Sequence, residues 1–466
     1  MSRLTGSGSG RLGHGWREAL EPRWQRAVAG VERLVGGRVV RAERQARWRP
    51  AWDFDVERDG ETVPVYFRGD RAEGSGVYGL EHEYGVLRVL AANGIPVPHV
   101  YGFCDEPRGI VMQRAPGRAN LATARDDDER RAVLDHYMEL LVAMQRIPVA
   151  DFETLGFHRP TTARELALAD LPRWEQSFRA RKKRPEPLIE LVLHWLHGHL
   201  PADRTRACFA TGDAGQFLFE NGRVTAVIDL ELAFLGDPLA DLGAMRSRDT
   251  SEPLGDLSRG YQRYAELSGE PIDADVLNFH TVRFALNTPL AVAPLCADPP
   301  PGFNLAQYLS WYLVYGRLPL EVIAEVEGIA LDPPPASGTA AGNEAPSSPA
   351  SRFGVAHDTL VGLLESGERS YATDTALRVA QYVREIDRHG ARVAAQDADE
   401  LATLLGRRID DAREADAALE ARVSGAERDE TAAIVRYLHR RTLRHEALLR
   451  PAMRELADAT FQKIRL

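Results

Sequence analysis

Apolar and polar positions along the chain follow two rhythms, and the change between them marks its organisation. Leu20, Trp24, Ala27, Val31 and Leu34 recur at helical steps, which predicts a helix over residues 16–34 ended by Gly36-Gly37. Short strand-like runs follow at 38–44, 52–57 and 62–68, the last two joined by Asp59-Gly60, a hairpin pair. Polar residues 70–76 read as a loop. Helical spacing returns over 77–93, with Leu80, Tyr84, Leu87 and Leu90 on one face and Asn93-Gly94 as the stop. Two further strand-like runs occupy 100–104 and 109–113. From about residue 126 the pattern is mostly helical, over 131–147, 164–180, 187–199, 257–267, 276–288 and 305–326, with Pro319 set to kink or break the last. One hairpin interrupts this region: apolar runs 216–220 and 224–229 flank Asn221-Gly222, the strongest short hairpin signal.

This order predicts an α+β fold. A small antiparallel-sheet lobe spans 16–116, and a mainly helical lobe spanning 117–332 carries the hairpin. Residues 1–15 read as a flexible Gly/Ser tail. The Pro-, Ala- and Ser-rich stretch 333–351 cannot bury a core and reads as a disordered linker. Beyond it, stripes at Leu377, Val379, Tyr382, Val383 and Ile386, at Leu401, Leu404 and Leu405, and at Ile434, Tyr437, Leu438 and Leu448 predict a helical bundle of its own over 352–466.

Composition narrows the function classes. The 466 residues are 44% hydrophobic and 27% charged, ordinary for a globular protein. A formal net charge of -10 argues against nucleic-acid binding, which needs clustered Lys and Arg. No apolar run approaches the roughly 18 residues of a membrane span, and the first residues lack the apolar core of a secretory signal. Three widely spaced cysteines, Cys104, Cys208 and Cys296, suit a reducing compartment, so the expected location is cytoplasmic.

The candidate chemistry lies at the hairpin. Asp213 precedes its first run and Asp229 closes its second, and the register is expected to bring the two carboxylates near each other at one end of the ribbon. A pair of acids, one able to take a proton and one able to hold a metal, suits phosphoryl transfer.

The stretch 211–243, and above all VIDLELAFLGDPLADLG at 227–243, resembles the aminoglycoside phosphotransferase and choline kinase-like family, with Leu230 where that family commonly has Trp. The likeness covers roughly residues 25–330. It implies a two-lobed protein-kinase-like fold and transfer of the terminal phosphate of ATP or GTP to a hydroxyl of a small molecule, an aminoglycoside-like compound or another metabolite, with Mg²⁺ as cofactor. Asp213 matches the catalytic acid and Asp229 the metal-holding acid. Arg68 stands where the family has a phosphate-binding Lys, and Glu83 where it has the partner Glu, with Glu81 the competing choice. Backbone groups of Gln113 and Arg114 would meet the adenine. Glu231 is either a further metal or substrate ligand or a solvated acid, and Asp237 and Asp241 read as structural. The family's His is replaced by Thr211, the loop after Asp213 is shorter than the family's, and Gln216 falls where a metal-holding Asn is expected, with Leu218 in the Asn's numerical place. Trp311, Tyr312 and Tyr315 are candidate walls for the substrate. These departures motivate the alternative of a degenerate relative that binds nucleotide or a partner without efficient transfer. The C-terminal bundle would serve protein contact or self-association.

Overall fold

The structure, a computed structural model, describes residues 16–45, 49–70, 78–332, 352–367 and 370–466. The expected tail at 1–15, nearly all of the loop at 70–76 and the linker at 333–351 lie outside the described residues. The chain divides into two compact units. One holds the described residues up to Phe157 together with Gln216–Ala233, the other His158–Gly215 and Phe234–Leu466.

The first unit begins with helix α1 (Pro22–Val35), which has Pro at its start and a left-handed Gly36 at its end. Strands β1 (Arg38–Arg44), β2 (Ala51–Arg58) and β3 (Glu61–Gly69), helix α2 (Leu80–Ala92), and strands β4 (Val100–Asp105) and β5 (Arg108–Gln113) follow. The sheet has the order β1-β2-β3-β5-β4, every pair antiparallel. Trp24, Val28 and Val31 of α1 share a core with Trp52, Phe54 and Val111 of the sheet. Asp59 and Gly60 both take positive φ, the backbone a two-residue hairpin of this type needs. Helices α3 (Asp127–Gln145) and α4 (Val149–Glu153) belong to this unit as well.

The chain then enters the second unit through α5 (Ala163–Leu168), α6 (Leu171–Arg181), α7 (Pro187–Gly198) and strand β6 (Cys208–Ala210). It returns to the first for the hairpin of β7 (Phe217–Glu220) and β8 (Arg223–Val227), whose turn residues Asn221 and Gly222 again have positive φ. Strand β9 (Phe234–Gly236), which pairs with β6, and helices α8 (Ala240–Arg248), α9 (Leu257–Ser268), α10 (Ala274–Ala297) and α11 (Leu305–Glu327) follow in the second unit. So do α12 (Arg352–Ser366), α13 (Tyr371–Leu405), α14 (Ala412–Val423) and α15 (Arg428–Leu449).

Several elements differ from their expected form. The helix expected over 164–180 is two helices, because Ala169 turns to φ 48°. The break lets the buried Asp170 accept from Trp174 Nε1 at 2.7 Å and Arg283 Nη1 at 2.6 Å. Helix α11 continues through Pro319, and α10 through Pro289 and Pro294, where burial on neighbouring helices outweighs the lost backbone bonds. The C-terminal helices, expected as a bundle of their own, share a core with α11: Ala306 and Val314 pack with Leu449, Ala452, Met453 and Leu456. Ion pairs Arg317–Glu446 at 2.7 Å and Lys182–Glu420 at 2.5 Å join the same regions.

Helix α8 is buried along almost its whole length and lies on α10. Their close approach depends on Gly243, where a Cβ would meet the backbone of His280 and Thr281 at 2.6–2.7 Å. Gly243→Ala should therefore cost about 2–3 kcal/mol of unfolding free energy by urea titration. Gly198→Ala, which faces open space at the end of α7, should change it by less than about 1 kcal/mol. Equal effects would show that α8 and α10 can separate without penalty.

Candidate active site

In the first unit, β3, α2 and the residues after β8 bring a cluster of charges together. Arg68 lies at the end of β3, buried, and Glu83 sits in the first turn of α2, also buried. Arg68 Nε donates to Glu83 Oε2 at 2.6 Å, and Arg68 Nη2 donates to Asp229 Oδ1 and lies 3.4 Å from Glu231 Oε2. Arg49, just before β2, donates to Glu231 and lies 3.9 Å from Glu83. Burial pulls the Arg49 guanidinium down to about 10, and the like charge of Arg68 adds to this. Burial would lower Arg68 too, but Asp229 and Glu83 outweigh it and raise the group. Burial pushes the Glu83 carboxyl up despite its arginine partners. Asp229 has φ 58°, a left-handed backbone that Asp tolerates better than most residues and that is common at functional sites. Across the ribbon, the carbonyl of Gln216 accepts from Ile228 N at 3.1 Å, which sets Gln216 opposite the residue before Asp229.

In the second unit, the loop Thr211-Gly212-Asp213-Ala214-Gly215 leaves β6 and is held by α8 from both ends of that helix. At its start, the buried Asp241 accepts from Thr211 N at 2.9 Å, Thr211 Oγ1 at 3.0 Å and Gly212 N at 3.2 Å. At its end, Arg248 forks onto Asp213, with Nε to Oδ1 at 2.8 Å and Nη2 to Oδ2. Arg248 is itself 3.2 Å from Glu252. Asp237 accepts from Leu239 N at 2.8 Å, as a cap of the turn into α8, and is paired with Arg204. The two units therefore carry different pieces of chemistry: an arginine–carboxylate cluster in one, and an acid on a tightly held loop in the other.

Residues 71–272 match the model of the family described as "Phosphotransferase enzyme family". The likeness to that family thus covers less than half of the chain. A solved structure of a thermostable mutant of the aminoglycoside phosphotransferase APH(4)-Ia, in ternary complex with AMP-PNP and hygromycin B, shares the fold. Its TM-score is 0.50 at 16% identity, over 65% of this chain and 99% of that one. Among sequence relatives, acyl-CoA dehydrogenase family member 10 of Mus musculus is 27% identical over 177 residues, 35% of this chain. Family member 11 of Rattus norvegicus is 26% identical over 211 residues, 40% of this chain. The matches span only 16% and 26% of those relatives.

The structure brings Arg68, just before the matched region, into direct contact with both Glu83 and Asp229 and places Glu231 beside it. Glu81, the competing partner for Arg68, instead pairs with Arg108 on the surface. Asp213 stands in the second unit while Asp229 and Gln216 stand in the first. Gln113 and Arg114 lie at the end of β5, but both amide N–H groups are already used, by His99 O at 2.7 Å and Pro64 O at 3.1 Å. The Arg114 guanidinium is paired with Asp55 at 2.7 Å. Of the expected aromatic walls, Trp311 packs toward the C-terminal core and Tyr312 donates to Glu186. Tyr315 reaches the Asp213 side through Ser251, which bonds both Tyr315 Oη at 2.8 Å and Arg248 O at 3.2 Å. Sequence reasoning did not single out Arg49 or Arg248. Neither sits in a motif, and Arg248 reads as a second arginine after Arg246 in the last turn of its helix.

Burial pushes the Asp241 carboxyl up to about 6, against the three donors that favour its charged form. The unfolded chain loses this proton near the ordinary 3.8 and the folded chain only near 6, so Asp241's contribution to stability falls as pH rises through that window. Asp241→Asn cannot titrate. Whatever its fixed cost, it should flatten the stability profile between roughly pH 4 and 6 by up to about 1.4 kcal/mol per pH unit, read by urea unfolding. An unchanged slope would mean that the folded and unfolded chains hold this proton alike.

Proposed function

We propose that this chain is a metal-dependent kinase that moves the terminal phosphate of ATP or GTP to a hydroxyl of a small molecule. The observation that carries the reading is the Arg68–Glu83–Asp229 contact: a buried cation on a strand, fixed by a helix acid and tied to a second acid after the hairpin. Arg68 would hold nucleotide phosphate, with Glu83 keeping its guanidinium aimed and Arg49 adding positive charge. Contact with adenine at Gln113 and Arg114 would use carbonyl oxygens, since their N–H groups are committed. Asp213 would accept the acceptor hydroxyl's proton as the new oxygen–phosphorus bond forms and the bond to the nucleoside diphosphate breaks. The Arg248 fork would fix the direction in which that carboxylate points.

The donor set fits Mg²⁺. Asp229, Glu231 and Gln216 all offer oxygen, and the Asp229 and Glu231 side chains keep 32% and 19% of their exposure. Among the described residues no group of three or more His, Cys, Asp or Glu is placed to hold a metal. Mg²⁺ is commonly held by one or two carboxylates with phosphate and water completing its shell, so Asp229 with Glu231 or Gln216 would suffice. When bound, it would neutralise phosphate charge. The replacement of the family's His by Thr211 is met by Asp241, which takes up the loop's N–H and hydroxyl donors.

A binding protein without transfer is the second reading. It is favoured by the same Arg248 fork, which engages both oxygens of Asp213. A screen of hydroxylated metabolites, aminoglycosides included, with Mg·ATP and Mg·GTP separates the two. Under the transfer reading Asp213→Asn lowers turnover by about 10²–10⁴-fold and leaves nucleotide affinity within about twofold. Asp229→Asn weakens Mg-dependent nucleotide binding itself. Nucleotide binding with no turnover on any acceptor, and no effect of Asp213→Asn, would favour the second reading.

A further inference from the structure

The last residues of the chain touch the rear of the Asp213 loop through a short series of contacts. The side chain of Gln462 is fully engaged with the loop between α8 and α9. Its Oε1 accepts from Leu257 N at 2.9 Å, and its Nε2 donates to Gly255 O at 3.0 Å and to Asp249 Oδ2 at 3.3 Å. Its backbone carbonyl accepts from Arg246 Nε at 3.3 Å, and the Arg246 guanidinium stacks over the Phe461 ring at 4.2 Å. Arg246 is almost wholly buried in α8 and is also bound by Asn278 and by Glu325 at 3.0 Å. Farther along, Arg465 N donates to Ser258 Oγ at 2.9 Å.

The α8–α9 loop in turn faces the loop of Asp213. Asp249 Oδ1 accepts from Leu254 N at 2.7 Å, which fixes the start of the loop to its middle. Leu254 is buried, and its Cδ1 lies 2.9 Å from where a Cβ on Gly215 would stand. Gly215, at φ 96°, ends the short loop that holds Asp213. Arg248, which forks onto Asp213, immediately precedes Asp249. One amide side chain thus ties together a loop that presses on Gly215 at one point and begins directly after the Asp213 partner, Arg248.

We propose that Phe461 and Gln462 form a strap that sets the conformation of the Asp213 loop, with Gln462 as a positioning residue. The C-terminal helices α12–α15 then serve to anchor that strap: α15 and the turns after it pack on α11 and end where the strap begins. The consequence for turnover rests on the transfer reading above. The consequence for loop order does not.

The test uses the full chain. In Gln462→Ala, amide hydrogen exchange at residues 212–215 should quicken about tenfold while exchange in the sheet of the first unit stays unchanged. Phosphate transfer should fall about ten- to a hundredfold in kcat with the KM for nucleotide unchanged, as expected of a misplaced acid. Gln462→Glu should be at least as damaging above about pH 6, because it sets a second carboxylate against Asp249. Adding Asp249→Asn reverses donor and acceptor at the Asp249 contact and leaves only the Gly255 carbonyl unmatched, so it should recover part of both the loop protection and the turnover lost in Gln462→Glu, a rescue that general loss of stability would not give. If Gln462→Ala does not fold, the Gln462→Glu and Asp249→Asn pair decides the matter by the same two readouts. Unchanged exchange at 212–215 in folded Gln462→Ala, or failure of the paired exchange to rescue, overturns the strap. If exchange responds as stated but the unaltered chain transfers phosphate to no acceptor, the strap stands and the transfer reading falls.

Discussion

Helix α8 is the member on which the second unit's chemistry depends. It is short and nearly all buried, and it reaches the Asp213 loop at both of its ends. Asp241 in its first turn supplies the acceptor for Thr211 and Gly212, and Arg248 in its last turn supplies the donor fork for Asp213. A carboxylate near a helix start and a cation near a helix end are also the placements the helix dipole favours. A loop held at two points by one rigid element cannot drift without moving that element. The element cannot move readily, because Gly243 seats it against the backbone of α10 and Arg246 is packed among Asn278, Glu325 and Phe461.

The charge cluster of the first unit follows a different logic. Arg68, Arg49, Glu83, Asp229 and Glu231 are all wholly or largely removed from water. Such a group adds little to stability compared with an apolar core of the same volume, since desolvation offsets most of the attraction. Breaking it by deleting one arginine would leave a buried carboxylate uncompensated, at about 3–5 kcal/mol. A cluster that is costly to build and costly to break, joined to an Asp with left-handed backbone, supports the binding role proposed for it above.

Much of this was legible in the sequence because local chemistry determined it. Asn221-Gly222 and Asp59-Gly60 specify their turns by backbone preference alone, and both hairpins stand where the patterns put them. The run 227–243 pointed to Asp229, and the position of Glu83 one helix beyond Arg68 pointed to the ion pair the structure contains. What stayed hidden depends on tertiary contact. Arg248 reads as one more charge at a helix end until the loop of Asp213 is seen against it. The break at Ala169 is invisible to periodicity, because it is set by what Asp170 must reach: Trp174 and Arg283, the latter 113 residues away. The C-terminal helices read as separate because a Pro- and Ser-rich stretch precedes them, yet Val379, Tyr382 and Leu449 share one core with Ala306 and Val314 of α11.

That last point changes the meaning of the short loop after Asp213. Read alone, a loop lacking the family's His and trimmed before Gln216 looks weakened. In the structure the loop is held from outside itself: Asp241 takes the donors of Thr211 and Gly212, Leu254 fills the space beside Gly215, and Gln462 bonds the loop that carries Leu254. A shorter loop has fewer conformations to lose, so less external hold is needed to order it. The hold it does receive comes from residues that no local motif contains. The loop of Asp213 and the helices after residue 351 thus meet in one arrangement: Asp241 and Arg248 of α8 hold the loop directly, and under the strap proposal Gln462 steadies it from behind.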